Sequence, residues 1–340
     1  MISLLKRCTF FFLIVAFVSC THKKEKQVQR SFYFWKSAYQ LTNKERSTLR
    51  QLSIQHLYIK FFDIVWNQDK KAPQPVAKIS FTEPVQPGVS VIPVVFITNE
   101  SMQQMTMDQA DTLAGNLLHL VSAITSSNQL SLTGEVQIDC DWTASTRDKY
   151  FRLLQAIRKQ EFMQGKSLSA TIRLHQLKFI SQMGVPPVDK GLLMCYNMGD
   201  LYHPGSKNSI IDADVLKKYI NRLETYPLPV NVALPIFDWY VLFKNDQYKG
   251  LIHAQDIKGA FAEKKVVRFE QDTNVYGLSF KKDEWLRHEI SPADELNESA
   301  KMLSNKIKYS NIDVILYHLD EKNLTNYDLK ELENIYNSFR

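Results

Sequence analysis

The chain has 340 residues, of which 44% are hydrophobic and 23% charged, with 42 Lys and Arg against 36 Asp and Glu for a formal balance of +6. That length suits one large domain or two modest ones, and the hydrophobic share is that of a folded chain. The mild positive balance, with no block of Lys and Arg interleaved with aromatics, argues against nucleic acid as a partner. No glycine-rich phosphate loop, GxSxG or HExxH occurs, which removes the nucleotide, serine-hydrolase and zincin motifs.

The chain opens on Lys6 and Arg7, an unbroken apolar stretch over residues 10–18, and the small residue Ser19 directly before Cys20. This is the layout of a secretory signal, and its apolar core is about half the roughly 20 residues that a bilayer crossing needs. The run Phe17-Val18-Ser19-Cys20 resembles the bacterial lipobox, with Phe17 where Leu is commoner. The resemblance implies cleavage before Cys20 and lipid on its thiol and amine, and more than one acyl chain anchors stably. The expectation is a protein of the bacterial cell envelope, held to a membrane through Cys20 on its periplasmic or cell-surface face. Losing Lys6 and Arg7 lowers the balance to +4. Residues 20–30, polar and Lys-rich, read as a solvated tether.

From residue 31 to 340 short β-rich runs alternate with segments of helical period. The runs are 32–37, 56–62, 89–98, 135–142, 168–175, 191–197, 231–238 and 313–319. Helical stripes lie between them: Tyr150, Leu153, Leu154 and Ile157 follow i, i+3, i+4, i+7, and Val215, Leu216, Tyr219, Ile220 and Leu223 do likewise. Ser145-x-x-Asp148, Ser291-Pro292-x-Asp294 and Thr325-x-x-Asp328 read as helix starts, a hydroxyl three residues before a carboxylate. Repeated strand and helix predict a parallel sheet covered by helices, and eight such units in about 300 residues predict an α/β fold, a TIM-like (β/α)8 barrel. Residues 67–88, rich in Pro, Gln and Lys, read as a long loop or short hairpin after strand two. Residues 239–290 read as an insertion after strand seven that opens with a hairpin, 240–252, around Asn245-Asp246. Cys140 and Cys195 sit in apolar runs and read as buried free thiols.

Chemistry concentrates on strand four. In Glu135-Val-Gln-Ile-Asp-Cys-Asp-Trp142 polar and apolar residues alternate, so Gln137, Asp139 and Asp141 share one face and Ile138, Cys140 and Trp142 the other. With the apolar set against the helices, two carboxylates point into the barrel, where burial is costly unless they are hydrogen-bonded or protonated. The segment Ile138 to Trp142, with the polar turn and the helix carrying Arg147, Tyr150, Leu153 and Leu154, resembles an uncharacterised domain family among the glycoside-hydrolase-like barrels. More distantly it resembles the strand-four signature of family-18 chitinases, Asp-Gly-x-Asp-x-Asp-x-Glu, and Met194-Cys-Tyr-Asn197 resembles their Met-x-Tyr-Asp. Laid on this chain, the signature's later aspartates fall on Asp139 and Asp141, its first on Val136 and its catalytic glutamate on Thr143, while Asn197 stands for an aspartate.

The resemblance implies a carbohydrate at the C-terminal mouth. Glycoside hydrolysis needs two flanking carboxyl groups, so Asp139, Asp141 and Asp238 are the candidate catalytic residues, with Asp141 and Asp238 the preferred pair and Asp63 in reserve. Candidate substrate-binding residues are Trp35, Lys60, Asp63, His175, Tyr196, Asn197, Trp239 and His318, with Arg173, Gln176, Tyr240 and Asp320 at other strand ends. Trp35, Tyr196, Trp239 and Tyr240 offer flat faces to sugar rings. His175 and His318 with Asp139 and Asp141 could instead hold a metal. Metal-dependent hydrolases of this barrel type carry His-x-His on strand one, whereas this strand reads Phe32-Tyr-Phe-Trp-Lys36, so neither metal nor cofactor is expected. The expected function is binding of a glycan, with or without hydrolysis; the alternatives are a non-catalytic carbohydrate-binding barrel and a structural or assembly lipoprotein.

Overall fold

A computed structural model describes residues 26–261 and 264–340. The leader, Cys20 and most of the expected tether lie outside the described residues. Among the described residues eight parallel strands close into a barrel: β1 (Gln27–Phe34), β2 (His56–Asn67), β3 (Ser90–Ile97), β4 (Glu135–Cys140), β5 (Ser167–Arg173), β6 (Lys190–Met194), β7 (Val230–Pro235) and β8 (Asn311–Tyr317). Closure comes from β1, which pairs with β8 through Gln27↔Asn311 to Phe32↔Leu316 and with β2 through Ser31↔His56 to Phe34↔Ile59. The fold is the expected α/β barrel.

Helices on the outside include α1 (Asn43–Gln51), α2 (Asn99–Gln104), α3 (Met107–Ser127), α4 (Arg147–Arg158), α5 (Leu174–Lys178), α6 (Ala213–Tyr219), α7 (Ala293–Lys306) and α8 (Leu329–Asn337). Among the described residues no helix is long and apolar enough to cross a membrane. The main core lies between strands and helices, where Ile138, Cys140 and Trp142 meet the predicted stripe Tyr150, Leu153, Leu154 and Ile157. A smaller cluster around Tyr33, Tyr58 and Met194 fills the barrel. Both Cys140 and Cys195 are buried and free.

Several boundaries moved. Strand one starts at Gln27, inside the expected tether: its first four residues pair with β8, and Arg30 bonds the Leu52 carbonyl and the Asn337 side chain. Their polarity reflects a half-buried barrel rim, not a solvated linker. Strand five stops at Arg173, where the Gln176 side chain accepts the Arg173 N–H at 2.7 Å and turns the chain into α5. None of the three expected hydroxyl caps forms. Helix α4 starts at Thr146 and α7 at Pro292 without a side-chain cap, and α8 is capped by Asp328 itself, in a box with Glu331.

The insertion after β7 folds as a four-stranded antiparallel sheet in the order Gln247–His253, Trp239–Lys244, Glu284–Glu289, Val266–Arg268. Its opening hairpin turns at Asn245 and Asp246, with φ of 49° and 57°. Two consecutive positive φ values make the turn whose twist matches a hairpin. Segment 67–88 contains the strand Ala72–Val76, which returns antiparallel along the end of β2.

Candidate functional site

Loops at the C-terminal ends of barrel strands converge on the axis, so functional groups gather there. That end of this barrel opens into a cavity of about 920 Å³. Its floor is built by two adjacent strands. Alternation on β4 turns Glu135, Gln137 and Asp139 to the axis, with Asp141 just beyond the strand, and β5 answers with Ser169, Thr171 and Arg173. Ser169 Oγ donates to Glu135 Oε1 at 2.6 Å and Thr171 Oγ1 to Asp139 Oδ1 at 2.6 Å. Arg173 donates Nε and Nη2 to the two Asp141 oxygens at 2.5 and 2.7 Å, a bidentate ion pair.

Asp139 is 8% exposed. Burial pushes its carboxyl up to about 6 and Asp141 adds to the rise, while the Thr171 hydrogen bond and Arg173 oppose it. Deeper in the barrel Gln137 accepts from Tyr33 Oη and donates to Ser169 Oγ at 3.3 Å. Each inward polar group of β4 therefore has a partner, which is the condition under which such groups are tolerated in a core.

The walls are aromatic. Trp35, Phe96, Tyr196, Phe237, Trp239 and Tyr317 line the cavity. Tyr196 stacks on Tyr317 with centroids 5.2 Å apart, Trp35 leans on Tyr317 at 5.7 Å, and Phe237 meets Trp239 at 5.2 Å. Trp239 is fixed from behind: its indole N–H donates to Glu289 Oε2 at 2.7 Å. Glu289, itself buried, takes Arg287 Nε on Oε1 at 2.8 Å and accepts the Ser209 hydroxyl. Arg287 Nη1 also donates to the His203 and Pro204 carbonyls at 2.8 and 3.0 Å. The insertion, the loop after β6 and the aromatic wall are thus one bonded unit.

At the opposite rim Lys36 pairs with the fully buried Glu45 at 2.5 Å and with Asp320 at 3.2 Å. His318 lies beside them with its Nδ1 buried and without a partner among the described residues. Burial drives His318 down to about 4, with Asp320 opposing and Lys36 adding to the fall.

Of the sequence-predicted residues, Asp139, Asp141, Asp238, Trp35, Tyr196, Asn197, Trp239 and His318 all line this one cavity. Three do not. Lys60 and Asp63 form their own ion pair at 3.0 Å, with the Lys60 ammonium 5.5 Å from the Trp35 ring centroid, supporting that ring from outside the cavity. His175 is exposed on the first turn of α5, because the strand ended two residues earlier. It therefore does not line the cavity with His318 and the two aspartates, and the four residues do not form a metal-holding group. Tyr240 is also no sugar platform: it is fully buried and stacked on His288 at 4.3 Å. Asp238 meets that same His288 at 3.2 Å, so the insertion grips one of the preferred acids.

Sequence reasoning missed Thr171, Phe96, Phe237, Tyr317, Lys36, Glu45 and His253 as parts of the site. A signal existed for the first: Ser167-Leu-Ser-Ala-Thr-Ile-Arg173 alternates polar and apolar just as strand four does. The others come from loops and strand ends whose meeting depends on closure of the barrel.

No protein-family model matches this chain, and no curated protein matches it in sequence. Solved structures match in fold. The C-terminal domain of a putative chitinase from Desulfitobacterium hafniense aligns with a TM-score of 0.57 at 11% identity, covering 93% of this chain and 100% of that one. The spore cortex-lytic enzyme SleL of Bacillus cereus aligns at 0.56 and 13% identity, over 93% and 75% of the two chains. A Group II chitinase catalytic domain of Ostrinia furnacalis, solved in complex with penta-N-acetylchitooctaose, aligns at 0.53 and 12% identity, over 92% and 95%.

Proposed function

We propose that the barrel mouth binds a glycan chain and that the protein is a glycoside-hydrolase-like lipoprotein of the cell envelope, anchored through Cys20. The observation that carries the glycan reading is the set of aromatic rings surrounding Asp139 and the Asp141–Arg173 pair in one open cavity of about 920 Å³. Sugar rings present C–H faces that pack on aromatic planes and hydroxyls that charged groups hold by strong hydrogen bonds. The fold it shares with chitinases, one of them solved with a chitooligosaccharide, supports the same reading.

Binding is favoured over cleavage by what occupies the acids. Hydrolysis by a carboxyl pair needs one protonated and one ionised group free to flank the bond. Both Asp141 oxygens are taken by Arg173, and Asp238 is held by His288. Thr143, where the family-18 resemblance puts a glutamate, has its hydroxyl among Ser145 and Thr146 at 2.9 and 3.2 Å, and a threonine is too weak an acid for proton donation at neutral pH. One observation favours the hydrolase reading: Asp139 keeps its proton up to about pH 6, the form a general acid requires.

The test is a soluble-oligosaccharide screen by calorimetry, chitooligosaccharides included, with chromatography of the products. The expected result is saturable binding without new products, weakened about tenfold or more in Trp239→Ala, which removes a stacking face. Products that disappear in Asp139→Asn would make the protein a hydrolase instead. No binding to any glycan would reject the reading.

A further inference from the structure

We infer that the end of the barrel opposite the cavity lies on an anionic lipid surface, so that the cavity opens away from the membrane. The inference rests on the proposed Cys20 anchor and on where strand β1 begins. Strand β1 starts at Gln27, and all eight barrel strands run parallel from that end toward the cavity. Lys26, immediately before it, is fastened to α7, its Nζ donating to Ser304 Oγ at 2.9 Å. Five residues lie between Cys20 and Lys26, six Cα–Cα steps in all. Even fully extended they span about 20 Å, so the near end of the barrel cannot leave the headgroup region by more than that. The cavity stands roughly 20 Å further out, the rise of seven or eight tilted strand residues.

The charge of this end complements such a surface. Arg50, Lys159, Lys166, Arg222 and Lys306 all lie on segments that precede strands or end helices there. Opposing them, Asp189 pairs with Arg158 and Glu224 with Lys308, at 2.8 and 3.2 Å, while Lys190 is shared by Glu135 and Asp313 inside the barrel end. Arg30 pairs with Glu333 at 3.2 Å as well, and Glu161 forms no ion pair among the described residues. Cations within a Debye length of an anionic bilayer are attracted to it. A molecule held there by its lipid rests this face on the headgroups and presents the aromatic cavity outward, to glycan lying beyond the bilayer rather than to lipid-linked sugars within it.

Hydrogen exchange on the full lipidated chain tests this, with the protein reconstituted in vesicles of phosphatidylglycerol and phosphatidylethanolamine or of phosphatidylcholine alone. The expected result is severalfold slower exchange at residues 159–166 and 306–310 in the anionic vesicles only, with the loop 197–209 at the cavity unchanged. Lys159→Glu with Lys166→Glu and Lys306→Glu should abolish the slowing while the protein still sediments with the vesicles. Slowing at loop 197–209 or no slowing anywhere would overturn the orientation, and equal slowing in phosphatidylcholine would overturn the preference for an anionic surface. Sedimentation separates that failure from failure of the anchor: a wild-type chain that stays in the supernatant would overturn both.

Discussion

Asp139 concentrates the electrostatic tension of the site. A carboxyl lifted from 3.8 to about 6 binds its proton more tightly in the folded than in the unfolded chain. Between about pH 4 and pH 6 the unfolded state therefore releases a proton that the folded state retains, and stability falls as pH rises through that window, by up to about 3 kcal/mol. Asp139→Asn should remove this slope and leave the variant more stable than wild type by about 1–3 kcal/mol at pH 7, read from denaturant unfolding at pH 4, 5, 6 and 7. An unchanged slope in the variant would assign the pH dependence to other groups. The inward direction of Asp139 was legible from period two alone, because any other register would expose Ile138, Cys140 and Trp142. Its partner was not, since Thr171 stands 32 residues away and meets it only through the β4–β5 pairing, which also brings Arg173 to Asp141.

At the scale of elements, the insertion works as a wall that braces the cavity. Strand Glu284–Glu289 alternates its duties, with Arg287 and Glu289 serving Trp239 and the loop after β6, and His288 serving Asp238. Glu289→Ala leaves Arg287, 6% exposed, as a buried charge without its carboxylate. Breaking a buried pair on one side costs about 3–5 kcal/mol. The variant should melt several degrees lower, and its Trp239 indole, no longer tied, should weaken any glycan affinity along with stability; a normal melting temperature would show that the loop carbonyls alone satisfy Arg287. Helix starts were the poorest part of the sequence reading. Ser145, Ser291 and Thr325 offered hydroxyls at the right spacing, yet α1 and α3 instead use Thr42 with Glu45 and Thr106 with Gln109. A cap works only where the chain enters the helix in an extended conformation, and tertiary contacts set that entry: Ser291 Oγ is spent on the Phe237 carbonyl and Thr325 Oγ1 on that of Lys322.

For the molecule as a whole, the proposed anchor and the barrel make separable claims. Cys20→Ser should release the chain from the membrane fraction, and the wild-type chain should gain label from radioactive palmitate; wild-type protein without label would refute lipidation. Barrel architecture was readable in advance because repeated β and α periods, at eight to the chain, leave few ways to bury every apolar face. The buried thiols, the insertion hairpin at Asn245-Asp246 and the inward acids were readable for the same local reason: periodicity and turn chemistry act over a few residues. What only the tertiary structure decided is which distant groups meet. Closure of β1 on β8 and β2 brings Trp35 to Tyr317, places Lys36 between Glu45 and Asp320, and leaves Lys60, Asp63 and His175 outside the cavity. Such contacts depend on strand register, on where each strand ends and on barrel closure, which are set by packing summed over the whole chain and not by any short segment of it.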